Sequence, residues 1–128
     1  MKRQAVAMGT MVVLLIAGLV AAEETEDKAI AAIAKLEGRI KRDENKPGRP
    51  VVALDLTRTE VIDAGLKNLA ALKQLKTLDL GGTKVTDAGL KDLATLKQLQ
   101  VLDLASTKVT DAGVKELAKA LPGCQFER

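Results

Sequence analysis

The chain has 128 residues, with 20 Lys plus Arg against 17 Asp plus Glu, a net charge of +3, no His, Trp or Tyr, one Cys and one Phe. Without His there is no Ser-His-Asp or Cys-His catalysis, no imidazole metal ligand and no imidazole pH switch. A single Cys forms no internal disulfide and no thiolate zinc cluster. Phe126 alone makes no base-stacking platform, and +3 scattered along the chain is not the clustered basic stripe of a nucleic-acid binder.

Lys2 and Arg3 precede an uncharged run, Ala5 to Ala22, dense in Val, Leu, Ile and Met; Glu23, Glu24, Glu26 and Asp27 then turn the composition acidic. Val20-Ala21-Ala22 places small residues where a signal peptidase reads them. Residues 1–22 therefore read as a signal peptide cut after Ala22, and the protein as exported to the periplasm or envelope, or secreted. The rival reading is an uncleaved membrane anchor over residues 5–22, because the uncharged stretch is near the lower limit for spanning a bilayer. A cut after Ala22 leaves roughly 106 residues, enough for one small domain. It also removes Lys2 and Arg3, two of the three net positive charges.

Beyond the leader, Ile30, Ile33, Leu36 and Ile40 lie three to four residues apart. This spacing predicts a helix over Ala29 to Glu37 stopped by Gly38, then a short edge strand from Arg39 to Arg42. Asp43 to Pro50 is rich in turn formers. Residues 23–50 thus read as an N-terminal helical cap and loop, with a mobile stalk as the alternative.

A 24-residue repeat governs the second half. Leu54, Leu78 and Leu102 recur at that spacing, as do Val61, Val85 and Val109, Asp63, Asp87 and Asp111, and Gly65, Gly89 and Gly113. The units are 51–74, 75–98 and 99–123, each of the form L-x-x-L-D-L-x-x-T-x-V-T-D-A-G-L-K-x-L-A-x-L-K-x. Leu-Asp-Leu alternates as a strand with one buried face. Leu90, Leu93, Ala94 and Leu96 then form a helical stripe. Thr86 and Thr110 suit helix N-caps, with Asp87 and Asp111 in the first turn, where negative charge favours the dipole; Ile62 leaves the first helix less well capped. Glycine inside a helix costs about 1 kcal/mol relative to Ala, so its recurrence predicts close approach of the neighbouring coil. No unit buries its own apolar face; stacked units do, with strands paired in parallel.

These units resemble the leucine-rich repeats. The tail T-D-A-G-L-K-x-L is similar to short exported bacterial repeat proteins of planctomycete type, and to repeat arrays of eukaryotic ubiquitin-ligase substrate receptors, without any ligase-recruiting segment. The resemblance implies an α/β solenoid, a short horseshoe fragment with parallel strands on the concave face and helices on the convex face. Thr59, Thr83 and Thr107 occupy the place of the family's Asn ladder, where a hydroxyl bonds nearby backbone. In that geometry Asp55, Asp79 and Asp103 project from the concave face. They form a candidate contact row with Thr57, Arg58 and Thr77, or a weak candidate cation site. Small neighbours (Ala53, Gly81, Val101, Ala105) offer little chelation, which favours a solvated face over a metal site. Lys67, Lys91 and Lys115, with Lys73 and Lys97, read as a solvated outer face.

Pro122 ends the last helix, and residues 124–128 form a C-terminal cap strand with Cys124 turned inward as a structural thiol. The functional expectation is a non-catalytic, exported module that binds another protein through its strand face, with no catalytic residues, no cofactor and no nucleic-acid partner. Membrane attachment would come only through an uncleaved N-terminal segment. The alternative is a structural envelope module that associates with copies of itself.

Overall fold

Leucines at alternate positions bury one side of each strand, and that alternation organises the molecule. The computed structural model describes the backbone of residues 17–128 and the side chains from Glu26 onward. Most of the run read as a leader lies outside the described residues. Helix α1 (Ala17–Lys35) is followed by β1 (Arg39–Arg42), β2 (Val51–Asp55), α2 (Asp63–Leu69), β3 (Thr77–Asp79), α3 (Asp87–Leu93), β4 (Val101–Asp103), α4 (Asp111–Ala120) and β5 (Gln125–Glu127). The five strands form one sheet in chain order. From β2 to β5 all pairs are parallel, in registers that equate Leu54, Leu78, Leu102 and Phe126. One strand, one turn and one helix per repeat make the crossover between parallel neighbours. This is the α/β solenoid arrangement that the resemblance implies.

The core lies between sheet and helices. Leu56, Leu66, Leu75, Leu78, Leu80, Leu93, Leu96 and Leu102 are fully buried there. Each buried Leu contributes about 1.5–3 kcal/mol by leaving water. The helices are short, seven residues in α2 and α3. The stripe read over Leu90 to Leu96 is therefore helical only to Leu93; Leu96 reaches the core from the following turn, with its N–H bonded to the Leu93 carbonyl at 3.0 Å. Among the described residues no buried side-chain nitrogen or oxygen lacks a hydrogen-bond partner.

The N-terminal end departs from the expectation in two respects. Helix α1 is already helical at Ala17, the first described residue, well before Ala29, and stops at Lys35 rather than Glu37. Its C-terminal turn passes through Glu37, whose φ of 61° takes the left-handed position that glycine usually fills. Gly38 serves packing instead: a Cβ there would lie 2.5 Å from Leu56 Cδ2 and 2.8 Å from Ile33 Cγ2. Ala29 and Ile33 are buried in the common core, so α1 covers that end of the stack. Strand β1 forms where expected but runs antiparallel to β2, pairing Arg39 with Asp55 and Ile40 with Leu54. No described helix is long and apolar enough to cross a membrane.

Candidate functional site

Pleating sends alternate residues to opposite faces, so burying Leu54, Leu78 and Leu102 turns their neighbours outward. The registers then fix a two-row grid on the open face of the sheet. One row reads Lys41, Ala53, Thr77, Val101, Gln125; the other reads Arg39, Asp55, Asp79, Asp103, Glu127. A shallow groove of about 280 Å³ at the β1 end is lined by Arg39, Lys41, Ala53, Asp55, Thr77 and Asp79. The predicted contact row Asp55, Asp79, Asp103 is thus brought together with Thr77. Thr57 and Arg58 sit just beyond the strand end, both exposed.

Sequence reasoning missed Arg39, Lys41 and Glu127. The strand at Arg39–Arg42 was legible, but only its pairing with β2 shows which residues share the face. The continuation of the 24-residue register from Asp103 points to Glu127.

The carboxylates also hold the strand exits. Asp55 Oδ1 accepts from the Thr57 N–H at 2.9 Å and the Thr57 hydroxyl at 2.5 Å. Asp79 Oδ1 accepts from the Gly81 N–H at 2.9 Å, and Asp103 Oδ1 from the Ala105 N–H at 2.8 Å. The Thr57 hydroxyl and N–H, with the Arg39 guanidinium across the strand, hold the Asp55 carboxyl below the usual carboxylate range. No cluster of three or more Cys, Asp and Glu among the described residues has the geometry of a metal site.

The next residues of each turn form the Thr ladder. The hydroxyls of Thr59, Thr83 and Thr107 donate to the carbonyls of Leu56, Leu80 and Leu104 at 2.8, 2.7 and 2.7 Å. Just before them, Arg58, Gly82 and Ser106 occupy equivalent positions with φ of 59°, 69° and 56°. Only one of the three is glycine.

On the helical side the expected caps do something else. Thr86 makes no side-chain cap for α3. Its N–H and hydroxyl instead donate to the two oxygens of Asp63, in the preceding coil, at 2.7 and 2.5 Å. Thr110 repeats this on Asp87 at 2.8 and 2.5 Å, and also caps α4 by accepting from the Gly113 N–H at 3.2 Å. The Asp of each first turn thereby ties its coil to the next, and the Thr110 contacts hold the Asp87 carboxyl below its ordinary value. In the last coil Asp111 pairs with Arg128, whose guanidinium also donates to the Val109 carbonyl at 2.9 Å.

The expected close approach at glycine is real and belongs to this contact. A Cβ on Gly89 would lie 2.5 Å from Asp63 Oδ1, and one on Gly113 would collide with the Asp87 carboxylate. Lys67, Lys91 and Lys115 stand exposed on the helices. Cys124 is half-buried against the core, and burial pushes its thiol up to about 11.

With register, Thr ladder and inter-coil ties established, residues 73–94 and 96–118 also match the family model described as Leucine Rich repeat. This match supports a leucine-rich-repeat protein. A solved leucine-rich-repeat protein of Leptospira interrogans is similar at 29% identity with a TM-score of 0.41, over 48% of this chain and 16% of its own. The chain thus spans under a fifth of that protein's length. No curated protein matches the chain. Leucine-rich-repeat folds commonly serve as protein-interaction modules, and their members are generally non-catalytic.

Proposed function

We propose that this leucine-rich-repeat chain is an exported, non-catalytic module that binds a partner protein through the open face of its sheet. The observation that carries the reading is the grid itself. Side chains are fixed at strand spacing by parallel register, and the α1 cap covers the end of the stack, so that among the described residues no element lies over the sheet face. Asp55, Asp79, Asp103, Thr57, Thr77 and Arg58 make the contacts in this reading. Binding to a preorganised surface avoids much of the ordering cost that weakens flexible interfaces. The charged-then-apolar N-terminal segment supports export.

The test compares two double variants in affinity capture from an envelope extract. Thr77→Arg with Val101→Arg fills the middle of the strand face; Lys91→Glu with Lys115→Glu alters the helical face. Loss of the captured protein with the first pair and retention with the second is the expected result. Equal capture by both overturns the assignment of the face. N-terminal sequencing of the envelope protein tests export, with Glu23 expected first.

A further inference from the structure

Resting on that reading, we infer the kind of partner: the sheet face receives an amphipathic helix of another protein, laid across the strands. Its Lys or Arg residues, one per turn, face Asp55, Asp79, Asp103 and Glu127, and an acidic residue at one end meets Arg39 and Lys41.

Charge comes first. Across the sheet the second row runs from one cation to four carboxylates in succession. None of the four carboxylates forms an ion pair with a described residue. Asp55, Asp79 and Asp103 each commit Oδ1 to the strand-exit turn, and no described residue engages the other oxygen. Like charges one strand apart repel, and an opposing cationic stripe relieves that repulsion. Arg39 and Lys41 at the β1 end make the face polar along its length, so the complementary partner has a direction as well as a sign.

Shape comes second. Ala53, Thr77, Gly81, Val101 and Ala105 floor the face with small side chains, which allows close approach of a cylinder about 10 Å across.

Spacing comes third. Strands lie about 4.8 Å apart and a helix advances 5.4 Å per turn, so three steps along each differ by only about 1.8 Å. Flexible Lys and Arg side chains absorb that. Same-side residues of an extended strand repeat at about 6.7 Å, and three steps miss by about 6 Å. A helix keeps a cation over every carboxylate, and an extended chain does not.

The test uses synthetic alanine-based helices of roughly 16 residues, long enough to hold helix in water. One carries Lys at successive third or fourth positions with a terminal Glu; the other has the same composition with the Lys residues spread around the helix. Titration of the full chain at low salt is expected to give about tenfold tighter binding of the striped peptide, with the gain lost at high salt. Asp79→Asn with Asp103→Asn preserves the Oδ1 acceptors that hold the turns while removing the charges. Its circular dichroism should match the parent, and its preference for the striped peptide should vanish. Equal binding of the two peptides, or an unchanged preference in the Asn variant, overturns the inference. If this fails while Thr77→Arg with Val101→Arg still abolishes capture of the cellular partner, the face stands as the binding surface and only the partner's class is wrong. If capture also survives those changes, the underlying reading falls.

Discussion

At the residue where each strand turns toward its helix, the backbone takes a left-handed conformation filled by Arg58, Gly82 and Ser106. An L side chain there costs about 1–2 kcal/mol, partly recovered because glycine is more disordered when unfolded. Ser106→Gly is accordingly expected to stabilise the protein by about 0.5–1 kcal/mol, seen as a higher urea midpoint at unchanged slope. Nothing in the repeat consensus reveals this position, because two of its three residues are not glycine. A neighbouring pair of positions works oppositely. Gly113→Ala drives a methyl into the Asp87 carboxylate and is expected to cost about 1–3 kcal/mol. Gly65→Ala, at the equivalent place in the first coil, meets only Val61 Cγ2 at 3.0 Å and should cost measurably less in the same denaturation experiment. The periodic glycine was legible in the sequence; which of its copies matters was not, since that depends on whether an Asp precedes it one coil earlier.

At the level of elements, the threonine and aspartate at each helix start join neighbouring coils more than they cap their own helix. Local chemistry favoured capping, and the sequence could not show that Asp63 reaches Thr86 before the coil pitch was known. The Asp87–Thr110 contact and the Asp55 turn make stability sensitive to acid. Asp55 and Asp87 have folded-state pKa values below the ordinary one. Their contribution is therefore complete above the unfolded value, about 3.9, and is lost as pH falls through the lower folded value. Thermal melts between about pH 5 and pH 2 should show a steeper loss for the parent than for Asp55→Asn with Asp87→Asn, which does not titrate; Asn keeps the Oδ1 acceptor at both sites but loses the second oxygen that accepts the Thr110 hydroxyl at Asp87. The place of each repeat strand was legible because Leu-x-Leu alternation and burial coincide, but each ends at the Asp rather than at the second Leu, and the last strand starts at Gln125 rather than Cys124. Helix α1 was not: its upstream half lies in a run whose apolar composition reads equally as a leader.

For the whole molecule, core leucines are shared between coils, so no coil is expected to melt alone. Leu78 is fully buried at the centre of the sheet. Leu78→Ala should cost about 2–5 kcal/mol and lower the single transition seen by circular dichroism without splitting it. A second, separate transition would contradict one shared core. Strand β1 gives a further expectation. It runs against the other strands and carries Arg39, Lys41 and Arg42, a charged edge that resists pairing with another copy. Light scattering over a wide concentration range should accordingly find no growth at that end. The stacked units and their parallel strands were readable in the 24-residue recurrence; the solenoid and its outward row of aspartates were what the family resemblance implied. The cationic end of the face was not, because it comes from a non-repeated strand whose partner only the fold identifies. The inter-coil ties span 23 residues, Asp63 to Thr86 and Asp87 to Thr110. The middle unit, 75–98, therefore hands a carboxylate forward and presents an N–H and hydroxyl backward. Duplicating any internal block in the gene would supply both halves of a new joint at once, so such an array can lengthen or shorten by whole units without inventing a single new fitting.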